Sequence, residues 1–146
     1  MKTGDWIEIG ILGLVTLIGA VFDLRTKKIP TMLLIVGGIA LAVAVPLFSH
    51  VLPLRQRLLG LAPGLMLLGI SLWKKMIGIG DSVLILMYGW GLGFRMMCFH
   101  LLISFLCLFP VSLFLLAFRR IKRTDTIPFY PFATIGYGLM LATLWL

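Results

Sequence analysis

The stretch MMCFHLLISFLCLFPVSLFLLAF, from Met96 to Phe118, decides the class of fold. Its 23 residues include no Lys, Arg, Asp or Glu, and about 20 apolar residues are enough for a helix to cross the hydrocarbon core of a bilayer. The whole chain shares this character. Of its 146 residues, 61% are hydrophobic and 12% are charged, whereas a soluble domain is about 45–50% apolar and about 25% charged. A soluble domain could not bury so much apolar surface, and disordered chains are polar. The sequence therefore predicts an integral membrane protein.

Six apolar stretches can be marked along the chain, and the stretch quoted above is the fifth. The first has no basic segment before it and no small-residue cleavage site after it, so we interpret it as a retained helix and not as a signal peptide. We predict an all-α polytopic membrane protein whose six transmembrane helices form a single domain over residues 1–146. The predicted helices run from Trp6 to Phe22, from Met32 to Phe48, from Leu58 to Trp73, from the end of Gly78–Asp81 to Phe94, from Met96 to Phe118, and from the end of Thr126–Pro131 to the C-terminus.

The basic residues predict the orientation of these helices, because Lys and Arg concentrate in the cytoplasmic loops of membrane proteins. With the N-terminus outside, nine of the thirteen basic residues fall in the three inside loops. We therefore predict an N-out, C-out topology. A nucleic-acid partner would instead need a basic face on a folded soluble domain. The inside set is Arg25, Lys27, Lys28, Lys74, Lys75, Arg119, Arg120, Lys122 and Arg123, and the outside set is Lys2, Arg55, Arg57 and Arg95.

The cysteines and histidines are not spaced as metal ligands. Cys98 and Cys107 lie nine residues apart in one predicted helix, about half a turn out of phase, and we expect them to be buried free thiols. His50 and His100 fall at the ends of predicted spans, where we expect them at the membrane interface. The sequence therefore predicts no disulfide, no metal and no cofactor.

Two acidic residues lie at the cytoplasmic ends of predicted helices. Asp23 ends the first helix, where the helix dipole opposes a carboxylate, and an exposed loop acid there would need a partner such as Arg25. Asp81 precedes the fourth helix, where Asp is a favoured N-cap. Considered alone, Asp23 can therefore be interpreted as a loop acid paired with a base, and Asp81 as a helix N-cap. Of the remaining acids, Asp5 and Glu8 are expected at the outer N-terminus. Asp125 is expected in an inner loop, where basic neighbours neutralise it.

Considered together, Asp23 and Asp81 have a second interpretation. Two carboxylates that lie close together in a low dielectric cannot both ionise easily, so they share one proton. The ionised carboxylate can then take a proton from water while the protonated one polarises a scissile carbonyl, as in the aspartic proteases. Gly78 and Gly80 lack a Cβ, so that a substrate backbone or a partner helix can come close to Asp81. The pair therefore predicts an acid–base site for peptide hydrolysis.

Three segments of the chain carry motifs in a fixed order. Asp23 is followed by basic residues and by Ile29-Pro30, Gly78-Ile79-Gly80-Asp81 reads GxGD, and Ile127-Pro128-Phe129-Tyr130-Pro131-Phe132 is followed by Gly136. These segments resemble the Asp-x-basic…Ile-Pro-Asn, GxGD and Ile-Pro-Phe-x-Pro-Phe…Gly segments of the prepilin peptidase (type IV leader peptidase) family of GxGD aspartyl membrane proteases. The resemblance implies a catalytic pair, Asp23 and Asp81, and motif residues near the substrate: Gly78, Gly80, Ile29, Pro30, Pro128, Phe129 and Pro131.

The chain departs from the family pattern in three places. Thr31 stands where the family usually has Asn, and Val83 stands where many members have Lys. Neither change removes a catalytic carboxylate, but both could alter the choice of substrate. The chain also has no CxxC motif and no room for the cytosolic CxxC…CxxC insert of the bifunctional members. It therefore resembles the short, peptidase-only form, without N-methyltransferase activity.

The resemblance implies a substrate and a location. The substrate is the leader of a type IV pilin-like precursor (a prepilin, an Flp-like pilin or a pseudopilin), cut after a Gly on the cytoplasmic side, just before its hydrophobic helix. The enzyme is then a multi-pass protein of a bacterial or archaeal plasma (inner) membrane. Its partners are the precursor and membrane lipids, the latter in contact with the basic loops, and whether it forms a homo-oligomer stays open.

Three other functions are compatible with parts of the sequence. Presenilin-like GxGD proteases are larger and carry a Pro-Ala-Leu motif, which is absent here. A small ion-coupled transporter would also have acids and interrupted helices. That function, however, predicts acids near the bilayer midplane and an inverted repeat, and the sequence shows neither. A non-catalytic membrane subunit of a pilus or secretion assembly remains, because motif residues do not prove activity. Convergence of the two Asp side chains would favour the peptidase.

Overall fold

Five helices make up nearly all of the chain that the computed structural model describes, which is residues 3–26, 29–48, 52–74, 78–118 and 128–145. These residues contain no strand, and the all-α prediction is confirmed. The helices are α1 (Thr3–Thr26), α2 (Thr31–Phe48), α3 (Leu54–Lys74), α4 (Ile79–Ala117) and α5 (Tyr130–Trp145). Eight of the basic residues used for the topology prediction lie outside the described part: Lys2, Lys27, Lys28, Lys75, Arg119, Arg120, Lys122 and Arg123. His50, expected at the membrane interface, and Asp125, expected in an inner loop, also lie outside it.

Four of the described helices, α1 to α4, are long and apolar enough to cross a membrane. α5, which contains the sixth predicted span, has 16 residues in the described part of the chain. The fourth and fifth predicted spans both lie within α4, which has 39 residues. In the described part of the chain the six predicted stretches are largely helical, but the structure joins two of them into one element, and the count of six membrane crossings stays a prediction.

α4 reverses direction at Gly93. This residue has φ 73° and ψ 171°, a conformation that glycine adopts far more readily than other residues. A straight helix would separate Tyr88 from His100, twelve residues later, by about 18 Å. Their ring centroids are instead 4.1 Å apart. α4 therefore consists of two limbs that pack against each other, which we call the N-limb (residues 79–92) and the C-limb (residues 94–117).

Glycines bring α3 into backbone contact with the N-limb. A Cβ on Gly60 would overlap the carbonyl oxygen of Gly89 and lie 2.9 Å from its carbonyl carbon. One turn later, a Cβ on Gly64 would lie 2.8 Å from the backbone nitrogen of Leu86. Small residues spaced by four allow such close packing of membrane helices. The two helices are therefore held at a separation that no larger side chain would permit.

The core of the bundle is formed by α1, α2, both limbs of α4 and α5. α5 meets the C-limb at Gly136, where a Cβ would overlap the hydroxyl oxygen of Ser104. Apolar residues also cover the outer faces of the helices, and Leu14, Val36 and Met66 are exposed. In a bilayer such faces contact lipid tails, which are as apolar as the side chains. The large side chains that are fully buried include Leu12, Leu41, Leu84, Tyr88, Met97, Tyr130 and Met140.

Two expectations about single residues are wrong. His100 is fully buried, with its ring 4.1 Å from that of Tyr88 and 5.8 Å from that of Tyr137, and does not lie at the membrane interface. The chain turns at Gly93, so residue 100 is already two helical turns inside the bundle. Cys98 is exposed and not buried, because its side of the C-limb faces away from the core.

An ion pair is buried at the end of the bundle that contains Gly93. Arg57 Nη2 lies 3.5 Å from Glu8 Oε1, and both side chains are almost fully buried. Arg57 Nη1 also donates hydrogen bonds to the carbonyl oxygens of Trp90 and Gly91, at 2.8 and 3.2 Å. Carbonyls in the last turn of a helix lack helical partners, and the N-limb stops here. Arg57, expected in an outer loop, is therefore a buried cap of the N-limb.

Arg57→Met should lower the free energy of unfolding by about 3–5 kcal/mol, since it removes the cation from the buried carboxylate of Glu8. Unfolding in detergent micelles measures this loss. Arg55→Met, on the same helix but exposed, should change the stability by less than about 0.5 kcal/mol. Adding Glu8→Gln to Arg57→Met should recover part of the loss. If the double variant instead loses the sum of what Arg57→Met and Glu8→Gln lose separately, the ion pair makes no coupled contribution to stability.

Candidate active site

Asp23 lies in the last turn of α1 and points into the bundle. It is only 7% exposed, and its Oδ2 atom accepts a hydrogen bond of 3.1 Å from the backbone N–H of Tyr130 in α5. Arg25, two residues later, is exposed. The interpretation of Asp23 as an exposed loop acid is therefore wrong.

Asp81 is the third residue of α4, and its carboxylate folds back towards Gly78. The backbone N–H groups of Asp81 and Ser82 donate to the carbonyl oxygen of Gly78, at 3.1 and 3.2 Å, and the Ser82 hydroxyl donates to the same oxygen at 3.3 Å. Gly78 thus occupies the position before the first turn, so that Asp81 is not the N-cap. A Cβ on Gly78 would lie 3.0 Å from Asp81 Oδ2. The missing side chain therefore leaves room for the carboxylate, which the dipole favours in a first turn.

Ile29 covers the other glycine of the GxGD segment. A Cβ on Gly80 would lie 2.9 Å from Cδ1 of Ile29, so the isoleucine packs directly on the glycine backbone. Pro30 occupies the position before the first turn of α2, where its carbonyl oxygen accepts the N–H of Leu33 at 3.0 Å. Gly80 therefore lets the connection between α1 and α2 approach the start of α4. Of the two motif residues, Ile29 contacts the GxGD segment, and Pro30 lies at the start of the next helix.

The third segment places the start of α5. The N–H of Phe132 donates to the carbonyl oxygen of Phe129 at 3.1 Å, so Phe129 occupies the position before the first turn. Pro131 lies within that turn, where Pro is tolerated, and Pro128 precedes it. The ring of Phe129 packs on Phe105 of the C-limb, with centroids 5.7 Å apart. Phe129 and the two prolines therefore position the start of α5. They flank Tyr130, which bonds to Asp23 and to Gly80.

Tyr130 connects the two acidic segments. In addition to its N–H bond to Asp23, its hydroxyl donates to the carbonyl oxygen of Gly80 at 3.1 Å. Because Gly80 directly precedes Asp81, Tyr130 contacts both Asp23 itself and the peptide group that leads to Asp81. Tyr130 falls at the variable position x of the Ile-Pro-Phe-x-Pro-Phe motif, so the motif gives no indication of these contacts. Its position between two motif prolines was the one available signal.

The candidate site contains a pair of carboxyl groups that come from two helix ends, with Asp23 buried and Asp81 half-buried. Such a pair can act as general base and general acid in the same reaction. Among the described residues, no group of three or more His, Cys, Asp or Glu is placed to hold a metal ion.

A sequence profile of the type IV leader peptidase family matches residues 10–113. The match covers most of the chain and includes Asp23 and the Gly78–Asp81 segment. The chain belongs to the type IV leader peptidase family. The family prediction made from the three motifs is therefore confirmed. No curated protein and no solved structure matches the chain.

Membership of the type IV leader peptidase family gives the general class of the chain. It is a peptidase, hence a hydrolase, and its long apolar helices make it a multi-pass membrane protein. The region that matches the leader peptidase profile ends within the C-limb of α4. α5 lies beyond it, so the contacts of Tyr130 with Asp23 and Gly80 are known from the structure and not from the family comparison.

Proposed function

We propose that the chain is a membrane aspartyl endopeptidase that removes the N-terminal leader of type IV pilin-like precursors. One observation carries this proposal. Asp23 and Asp81, 58 residues apart in the sequence, come from two different helices to one end of the bundle, where Tyr130 bonds both to Asp23 and to Gly80, the residue before Asp81. Like charges in a partly desolvated position oppose folding, and such arrangements are typical of functional sites.

The proposed mechanism uses one proton shared by the two carboxylates. The ionised Asp takes a proton from a water molecule, whose oxygen attacks the scissile carbonyl carbon. The protonated Asp donates its proton to the carbonyl oxygen, which gives a neutral tetrahedral diol. The diol then collapses: the ionised Asp takes a proton from one diol hydroxyl, the C–N bond breaks, and the nitrogen leaves as an amine with the proton of the other carboxyl group, so that the pair again holds one proton. The products are a new carboxyl group and a new N-terminus, and no cofactor is consumed.

The glycines support a substrate with a small residue before the cut. Gly78 is exposed and Gly80 is half-buried under Ile29. Because Gly78 is exposed and has no Cβ, an extended substrate backbone can approach Asp81 beside it. The substrate class that we propose is a prepilin, an Flp-like pilin or a pseudopilin, cut after a Gly just before its hydrophobic helix.

The proposed enzyme is a multi-pass protein of a bacterial or archaeal inner membrane, with six crossings and both termini outside. The distribution of nine basic residues against four supports this orientation. It places the ends of α1 and α4 that carry Asp23 and Asp81 at the cytoplasmic face. A reporter fused after Leu146 tests the orientation, and a cytoplasmic reporter would contradict it.

Cleavage by the purified protein in lipid vesicles tests the function. We expect one cut in a pilin-like precursor, detected by mass spectrometry as a single new N-terminus after the Gly. A precursor in which that Gly is replaced by Val is the matched control, and we expect it to be cut at least tenfold more slowly, because a branched side chain must fit beside Gly78 and Gly80. If the folded protein cuts no precursor of the three classes, the proposal is wrong, and a non-catalytic subunit of an assembly becomes the better description.

A further inference from the structure

Tyr130 bonds to both acidic segments of the candidate site. Its backbone N–H donates to Asp23 Oδ2 in α1, and its hydroxyl donates to the carbonyl oxygen of Gly80 at the start of α4, each at 3.1 Å. We propose that Tyr130 is a positioning residue, which holds Asp23 and Asp81 at the separation that the shared-proton mechanism needs. This inference rests on the proposed function and extends the site to α5.

The Tyr130 ring is a rigid spacer between α1 and α4. A Cβ on Gly19 would overlap the Cδ1 and Cε1 atoms of the ring, so the ring lies directly on the backbone of α1, about one helical turn before Asp23. It is fully buried. A tyrosine side chain has only two rotatable bonds to its ring, and this one is held at its backbone, its face and its hydroxyl. The ring therefore fixes how closely α1 and the start of α4 approach.

The hydroxyl bond acts on the peptide unit that carries Asp81. The carbonyl of Gly80 and the N–H of Asp81 belong to one planar peptide group. Tyr130 holds the carbonyl side, and the carbonyl oxygen of Gly78 accepts the N–H side at 3.1 Å. A peptide plane held on both sides cannot rotate freely. The direction in which the Asp81 side chain leaves the backbone is therefore set partly by Tyr130.

The start of α5 has a second attachment that does not depend on this hydroxyl. Thr134, one turn after Tyr130, donates from its hydroxyl to the carbonyl oxygens of Thr16 and Tyr130, at 3.3 and 2.9 Å. Loss of the Tyr130 hydroxyl should therefore leave α5 in place against α1. Its effect should fall on the geometry of Asp81 more than on the fold.

Tyr130→Phe tests the inference, with Tyr137→Phe as the matched control. Tyr130→Phe keeps the ring and the backbone bond to Asp23 and removes only the bond to Gly80. Tyr137→Phe also removes one hydroxyl bond from α5 to a neighbouring helix, in this case from the Tyr137 hydroxyl to the carbonyl oxygen of Ile9 in α1 at 2.9 Å, two turns farther along α5. We expect Tyr130→Phe to lower kcat about tenfold, the value of one hydrogen bond, with KM nearly unchanged. Its pH–rate profile should also shift, whereas Tyr137→Phe should retain the wild-type kcat and profile.

A second readout does not depend on cleavage. In the variant Asp23→Cys/Asp81→Cys, made in a chain with Cys98→Ser and Cys107→Ser, the yield of cross-linking by a short bifunctional thiol reagent reports the separation of the two positions. Adding Tyr130→Phe should lower this yield, and adding Tyr137→Phe should not. Equal effects of the two Phe variants on both kcat and cross-linking would overturn the positioning role. If the wild type cleaves no precursor but the cross-linking difference is present, the proposed function fails while the positioning of residues 23 and 81 by Tyr130 stands.

Discussion

Asp23→Asn and Asp81→Asn should each lower the rate of precursor cleavage by about 10³-fold or more. Asn is nearly isosteric with Asp but can neither take up a proton from water nor pass one to the substrate, and a positioned acid or base contributes about 10²–10⁴-fold to a rate. Both roles alternate within one catalytic cycle in the proposed mechanism, so either substitution stops it. The measurement is the appearance of the new N-terminus in vesicles that contain equal amounts of folded protein.

The matched control is Asp5→Asn, which removes a carboxylate from the same helix. Residue 5 lies 18 residues from Asp23, or about 27 Å along α1, and we expect cleavage at the wild-type rate. The Asp23→Asn/Asp81→Asn double variant should be no slower than either single variant, because residues that act as one unit are not additive. A single Asn variant that keeps more than about a tenth of the activity would rule out the two-carboxylate mechanism.

Gly60→Ala should destabilise the protein by about 2–3 kcal/mol, the range expected when a methyl group is forced into a packed interface. The added Cβ would overlap the carbonyl oxygen of Gly89 and lie 3.0 Å from its Cα atom. Backbone cannot move aside as a flexible side chain can. α3 and the N-limb must therefore separate along their contact, which also weakens the packing of Gly64 on Leu86. Unfolding in detergent micelles measures the change.

Gly69→Ala on the same helix is the matched control, because it changes the helix propensity in the same way without adding a methyl group to the contact between helices. A Cβ on Gly69 meets no described atom within 4 Å. Alanine is favoured over glycine in a helix by up to about 1 kcal/mol, so Gly69→Ala should be neutral or slightly stabilising. If Gly60→Ala is equally harmless, α3 and the N-limb do not pack as closely as the structure indicates.

The placement of the two acids at one end of the bundle could be predicted from the sequence. Asp23 ends one apolar stretch and Asp81 begins another, and alternate membrane crossings bring such positions to the same side. The glycines beside Asp81 also predict a close approach of other groups, and the structure places the side chain of Ile29 on Gly80. These features depend on the order of apolar stretches and loops, which a sequence displays directly.

The partners of buried polar groups could not be predicted in the same way. Arg57 was assigned to an outer loop because charge and position argue for exposure, but its partners are Glu8 and carbonyls of the N-limb. Tyr130 reaches Asp23 across 107 residues of chain. Such pairs depend on which helices are neighbours and how they are rotated, and apolar periodicity is weak on helices that have lipid on one side and protein on the other.

The separation of residues 23 and 81 in vesicles tests most directly the central claim, that carboxylates from two helices form one site. The chain for this test has Cys98→Ser and Cys107→Ser, so that the introduced thiols are the only ones. A short bifunctional thiol reagent should join the two positions in Asp23→Cys/Asp81→Cys and should not join those in Asp5→Cys/Asp81→Cys, since residue 5 lies about 27 Å along α1 from residue 23. If each single Cys variant reacts with the reagent but the first pair is not joined, or is joined no better than the second, the two carboxylates do not form one site.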